Sequence, residues 1–209
     1  MGNYMKKIII VGGGGHALSL LEMTPNRDIF LGYSDCKSVD AMPLKYLGSD
    51  EEVLKKYSPS DYEVIHAVVY TGDVNLKLRT RLINKYQCYK GAILIAESAI
   101  ISPNSTIGEG TVVLHKAVLN RAFIGKHCVV NTGVIVEHGV TIANNAFLGS
   151  SSVVCGDSTI GNNVFIGAGC IIRDGVSICD NAIIGMGSVV TNNITKEGVY
   201  IGSPAKLKK

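Results

Sequence analysis

A chain of 209 residues is long enough for one large domain or two small ones, each with its own core. Its net charge of only +3 argues against a general nucleic-acid binder, for which a concentrated basic face is expected, and five prolines without a low-complexity tract argue against disorder. Six cysteines with no C-x-x-C pair and no His-rich spacing point to reduced thiols in a cytoplasmic protein and give no sign of a metal site. The apolar run from Ile8 to Val11 is too short for a signal peptide, and no segment is long and apolar enough for a membrane span.

Lys6 to Val11 reads Lys-Lys-Ile-Ile-Ile-Val, a β-branched run of the kind that forms a parallel strand buried on both faces. Gly12-Gly13-Gly14-Gly15-His16-Ala17 follows, then a helical pattern of Leu18, Leu20, Leu21 and Met23. Strand, glycine turn and helix make a nucleotide-binding opening, in which glycines let the backbone approach a phosphate and the helix start supplies free N–H groups. Gly12, Gly14 and Ala17 satisfy G-x-G-x-x-A. A second strand candidate, Ile29 to Tyr33, leads to Asp35, 23 residues after Gly12 and near the expected place of a ribose-binding carboxylate.

The alternation continues with a helix over Glu51 to Tyr57, a buried strand over Glu63 to Tyr70, a helix over Asn75 to Tyr86 and a fourth strand over Ala92 to Ile95. Together these predict a small Rossmann-like βαβ domain over 1–95, running without a flexible linker into a second domain over 96–209.

That second domain begins with a six-residue step. It runs through Ile101, Ile107, Val113 and Leu119, then after one five-residue step through Ile124, Val130, Val136, Ile142, Leu148, Val154, Ile160, Ile166, Ile172, Ile178, Ile184 and Val190. Two residues earlier in each hexad the side chain is small, as at Ala117, Cys128, Ala146, Ser152, Cys170 and Ala182. This is a hexapeptide repeat. Each hexad supplies a short strand and a bend, its aliphatic residue points inward, and coils stack about 4.8 Å apart into a parallel β-helix. The tail beyond Val190 leaves the repeat and ends in Gly202-Ser203-Pro204-Ala205-Lys206, with Lys208 and Lys209 behind it.

The Gly14-Gly15-His16-Ala17 turn, the solenoid containing Asn131-Thr132-Gly133 and Val136-Glu137-His138, and the terminal Gly-Ser-Pro-Ala-Lys resemble the bacterial hexapeptide-repeat sugar acetyltransferases of surface glycan biosynthesis. These include the bacillosamine- and perosamine-type nucleotide-amino-sugar N-acetyltransferases and the sialic acid O-acetyltransferases. The resemblance spans nearly the whole chain. It implies a left-handed β-helix with three hexads to a coil, a homotrimer with sites between neighbouring solenoids, and acetyl-CoA lying along the coils as co-substrate. A sugar or nucleotide-sugar acceptor would be offered from the N-terminal domain.

Residue by residue, the resemblance makes His138 the general base, Asn131 a lining residue of the acceptor pocket, and Gly156, eighteen residues on, an N–H donor to the thioester carbonyl. Ala168 and Met186 match positions that hold pantetheine, Lys206, Lys208 and Lys209 offer cations to CoA phosphates, and Gly14, His16, Asp35 and Lys37 match the nucleotide-sugar contacts. Taken by themselves, His138 also reads as a surface histidine on a solenoid corner and Gly156 as a glycine needed for the bend. His66 reads as a core histidine, and His115 and His127 as solenoid residues without a charge partner.

Two departures stand out: Gly139 follows His138 where many relatives carry an acid, and Phe147 stands where they carry a second His. Glu137 should point to the other side of the extended backbone, so it is not expected to orient the base. The Glu-His-Gly variant resembles the O-acetyltransferase branch. Two other function classes remain. One is a nicotinamide-linked oxidoreductase, prompted by the glycine pattern and Asp35 but short of a full dinucleotide fold; the other is a non-catalytic trimeric solenoid.

Overall fold

The β-branched run forms β1 (Lys7–Val11), and its last four residues are buried. It lies between β2 (Phe30–Ser34) and β3 (Tyr62–His66), with β4 (Lys90–Gly91) beyond β3, so the sheet order is β2-β1-β3-β4 and every pairing is parallel. The computed structural model describes residues 6–69 and 73–208, and it separates into two compact units, 1–94 and 95–209.

In the first unit α1 (Gly15–Glu22) starts directly after the glycine turn and buries Ala17, Leu20 and Leu21. A capping box starts α2 (Asp50–Lys56): Ser49 accepts the Glu52 N–H while the Glu52 carboxylate accepts the Ser49 N–H. The third helix, α3, covers Asp73–Lys85. The expected strand to Tyr70 stops at His66, and Tyr70 itself lies outside the described residues. The expected strand over 92–95 is also absent from this sheet. Ala92 still donates to the Val64 carbonyl (2.8 Å), whereas Ala96 donates to Val113 and already belongs to the solenoid.

In the second unit the hexads become two-residue strands arranged in three parallel sheets. Val136 faces Leu119 and Val154 across the coils, Ile142 faces Ile124 and Ile160, and Leu148 faces Val130 and Ile166. Like residue therefore stacks on like residue, and the inward side chains from Val113 to Val190 form one continuous buried core. The eighteen-residue coil with three flat walls fits a left-handed β-helix. In the first coil Ile101 and Ile107 stay half-buried. The tail after Val190 returns to the stack: Val199–Ile201 pairs with Ile183–Ile184, and Lys206–Leu207 pairs antiparallel to it. No helix among the described residues is long and apolar enough to cross a membrane.

The five-residue step does not produce a bent or displaced loop. Between Leu119 and Ile124 the corner is one residue shorter, and the missing residue is the counterpart of His138 in the coil above it. Arg121 (φ 49°) occupies the left-handed place that Gly139 (72°), Asp157 (57°) and Gly175 (66°) fill in later coils. Its carbonyl accepts the Gly139 N–H (3.3 Å), and Phe123 stays in register with Thr106 and Thr141, so the ladder is unbroken.

Because Ile160 is fully buried between Ile142 and Ile178, Ile160→Ala should destabilise the solenoid by about 2–5 kcal/mol. Urea unfolding followed by circular dichroism should show the lower midpoint.

Candidate active site

The shortened corner and the coil beneath it frame an open cleft of about 460 Å³, lined by Asn120, Arg121, His138, Gly139 and Asp157. His138 is exposed on the second of these corners, and its carbonyl accepts the Asp157 N–H (2.9 Å). Its imidazole leans over the next coil onto Gly156. A Cβ on Gly156 would lie 2.8 Å from Cε1, 3.1 Å from Nε2 and 3.3 Å from Nδ1. The left-handed residue of that bend is Asp157, not Gly156. What requires glycine at 156 is therefore room for the His138 ring, not the turn. The Gly156 N–H also stays outside the coil-to-coil ladder, in which Cys155 donates to Ile172 and Asp157 to His138.

Glu137 is engaged one coil away, its Oε2 accepting the Asn120 amide N–H (2.9 Å). The Cys155 thiol is pushed up in pKa by burial first, then by the charges of Asp174 and Glu137, which makes it a poor nucleophile. Asp157, Asn120 and Arg121 were not anticipated in the site. The five-residue step pointed to this corner, but nothing in the spacing identified which side chains would line it.

The remaining predicted residues fall elsewhere. Asn131 accepts the Thr132 N–H through its own side chain (2.8 Å) and is not among the residues lining the cleft. Ala168 and Met186 follow one another along a separate corner, linked by the Gly187 N–H to the Ala168 carbonyl (2.9 Å), and Met186 is 82% exposed. Lys206 is exposed in the C-terminal hairpin; Lys209 lies outside the described residues. Phe147 stacks face to face on Phe165, ring centroids 5.0 Å apart.

In the first unit Gly14 precedes α1 and a Cβ there would meet open space. His16, in the first turn of α1, buries an Nε2 that has no hydrogen-bond partner. Burial, then the nearby Arg79 charge, lowers its pKa from 6.5 to about 4. Arg79 is itself buried and donates to the carbonyls of His66 (3.1 Å) and Val68 (2.7 Å). Asp35 pins the glycine turn, its Oδ2 accepting the Gly13 N–H (2.8 Å), and Lys37 stays exposed. Gly14, His16 and Asp35 thus gather at the carboxyl ends of β1 and β2, close to where the strand order reverses.

Two family models match the solenoid: bacterial transferase hexapeptide (six repeats) over 157–192 and the hexapeptide repeat of succinyl-transferase over 120–150. No curated protein matches by sequence. Among solved structures, a perosamine N-acetyltransferase variant from Caulobacter crescentus in complex with CoA and GDP-perosamine is 27% identical over 99% of this chain and 98% of that one, TM-score 0.88. PerB from Caulobacter crescentus, with the same two ligands, is 28% identical over 99% of each chain, TM-score 0.84. The acetyltransferase domain of PglB from Neisseria gonorrhoeae, in complex with acetyl coenzyme A, is 25% identical over 98% of this chain and 100% of that one, TM-score 0.86. The chain carries the bacterial transferase hexapeptide repeat and shares its fold, over nearly its whole length, with these acetyltransferases.

The corner pair has a direct chemical reading. An exposed imidazole beside an open cleft can accept a proton, and an unused N–H beneath it can donate to a developing oxyanion. Among the described residues no group of three His, Cys, Asp or Glu could hold a metal ion.

Gly156→Ala should leave the fold intact, since its backbone is not left-handed, yet displace the His138 ring and lower turnover about a hundredfold. Parallel thermal melts and steady-state assays separate the two effects. For His16 the folded pKa lies below the unfolded one, so stability is full above about pH 6.5 and is lost as pH falls toward 4. Acid titration followed by tyrosine fluorescence, which reports mainly on the first unit, should show this loss, and His16→Gln should flatten it.

Proposed function

We propose that the chain transfers the acetyl group of acetyl-CoA to the amine of a nucleotide-linked 4-amino-4,6-dideoxy sugar in bacterial surface glycan biosynthesis. The observation that carries the reading is the His138 imidazole seated over Gly156 at the edge of an open cleft. His138 takes the proton of the attacking amine as the C–N bond forms, and the Gly156 N–H holds the carbonyl oxygen. The C–S bond then breaks, and the CoA thiolate leaves with the proton from His138. Transfer is direct, with no covalent enzyme intermediate; the raised Cys155 thiol agrees with this.

The likeness to enzymes crystallised with CoA and GDP-perosamine supports the choice of donor and acceptor. Ala168 and Met186 carry pantetheine along their corner, Lys206 serves the CoA phosphates, and Asn131 lines the acceptor pocket of a neighbouring copy. The first unit, whose parallel sheet has the order β2-β1-β3-β4, holds the nucleotide through Gly14, His16, Asp35 and Lys37. The chain works as a cytoplasmic homotrimer. One outer wall of the solenoid, with Ile100 65% and Ile171 44% exposed and Val118, Ile135 and Val153 between them, supports assembly through an apolar face. All six cysteines are free, in keeping with a reducing compartment.

A second reading, O-acetylation of sialic acid, is favoured by one feature: Arg121 lines the cleft beside His138 and would pair with an acceptor carboxylate.

Thiol release from acetyl-CoA against UDP-, dTDP- and GDP-4-amino sugars and free and CMP-linked sialic acid tests both readings. A 4-amino sugar nucleotide should be the best acceptor, and His138→Ala should lower turnover about 10²–10⁴-fold with the assembly intact. Turnover on sialic acid alone selects the second reading, and unchanged turnover in His138→Ala removes His138 as base.

A further inference from the structure

The position after His138 is a glycine, and the space where its side chain would stand is taken. A Cβ on Gly139 would lie 2.1 Å from Oδ1 of Asp157, so this carboxylate reaches back from its own coil and sits against the Gly139 backbone. The His138 ring leans the opposite way, onto Gly156. Two neighbouring pairs, 138–139 and 156–157, thus exchange side chains across the gap, each using the other's glycine as its seat. The backbone closes the arrangement through the Asp157 N–H to the His138 carbonyl (2.9 Å).

Asp157 is the one acid among the residues lining the cleft. The other nearby carboxylate, Glu137, is held by the Asn120 amide (2.9 Å). The turn does not call for an acid at 157. Asn145, Asn163 and Asn181 hold the same left-handed φ, at 56°, 57° and 60° against 57° for Asp157, on another corner of the same solenoid.

We infer that Asp157 is the positioning residue of His138. The two side chains cross the same gap and no hydrogen bond joins them in the structure; a turn of the exposed carboxylate brings it onto the Nδ1–H of the imidazole, which leaves Nε2 to accept the acceptor's proton, and there it stabilises the imidazolium until that proton passes to the departing CoA thiolate. The inference rests on His138 as base in the proposed function. The acid arrives from one coil further along, across the stack, because Gly139 and Gly156 leave room for the exchange.

Asp157→Asn keeps the side-chain size and suits the turn. With acetyl-CoA and GDP-perosamine as probes, kcat should fall about ten- to a hundredfold while KM for acetyl-CoA stays within about twofold. Gly139→Asp alone should fail, because its side chain meets Asp157. The double variant Gly139→Asp with Asp157→Gly, which moves the carboxylate to the opposite side of the gap, should recover most of the lost kcat. A turn or folding role for Asp157 predicts no such recovery.

An arm independent of turnover uses ¹⁵N-histidine NMR, with the His138 signal assigned from a His138→Asn sample. The wild-type ring should be the Nδ1–H tautomer, and Asp157→Asn should shift it toward the Nε2–H form that free imidazole prefers. The same tautomer in both proteins overturns the inference whatever the kinetics show. If the wild type releases CoA with no acceptor, the proposed function falls, and the tautomer still decides what Asp157 does.

Discussion

Everything in the second unit depends on the backbone ladder between coils. Each short strand bonds the strand one coil before it and the strand one coil after it, so a residue's height and direction are fixed by its place in the eighteen-residue period. Inward positions become columns of like aliphatic residues with little freedom to shift, because a slip by one residue would turn the whole inward set outward. Corners inherit that rigidity. A side chain on a corner can be aimed without a dedicated scaffold, since the stack already holds its Cα.

Against such a regular frame, small omissions create the site. One residue is missing from the coil above His138, and no Cβ is present at Gly139 or Gly156. The first omission opens space beside the imidazole. The other two let the ring and the Asp157 carboxylate reach across the gap in opposite directions. The candidate site is thus cut out of the repeat rather than added to it. In the first unit the logic differs, because a parallel sheet brings the ends of β1 and β2 together and the turn between β1 and α1 collects Gly14, His16 and Asp35 there.

The solenoid was legible because periodicity and burial are the same fact seen twice: an aliphatic every sixth residue is what a three-walled coil needs inside. His138 and Gly156 were legible as a vertical pair for the same reason. The reason for the glycine was not, since φ and a ring's lean leave no trace in spacing. Asp157 and Arg121 escaped because an exposed corner charge looks alike whether it faces water or a cleft. In the first unit the strand over 63–70 was read too long because apolar composition continues after the ladder has ended at His66. Ala92 to Ile95 was given to the wrong sheet, since a β-rich run does not say which neighbour it will pair with.

The unbroken register on both sides of the shortened corner has one more consequence. From His138 through Gly156 to Asp174, each coil adds one strand spacing, so the stack below His138 has a length counted in whole steps of about 4.8 Å. Gaining or losing a full coil there would change the reach to the C-terminal hairpin by one such step and leave every inward residue inward. Gaining one residue within a strand would invert the core of that wall. Variation in the length of the stack is therefore available only in quanta of a coil, while the geometry around His138 can be altered by removing a single corner residue.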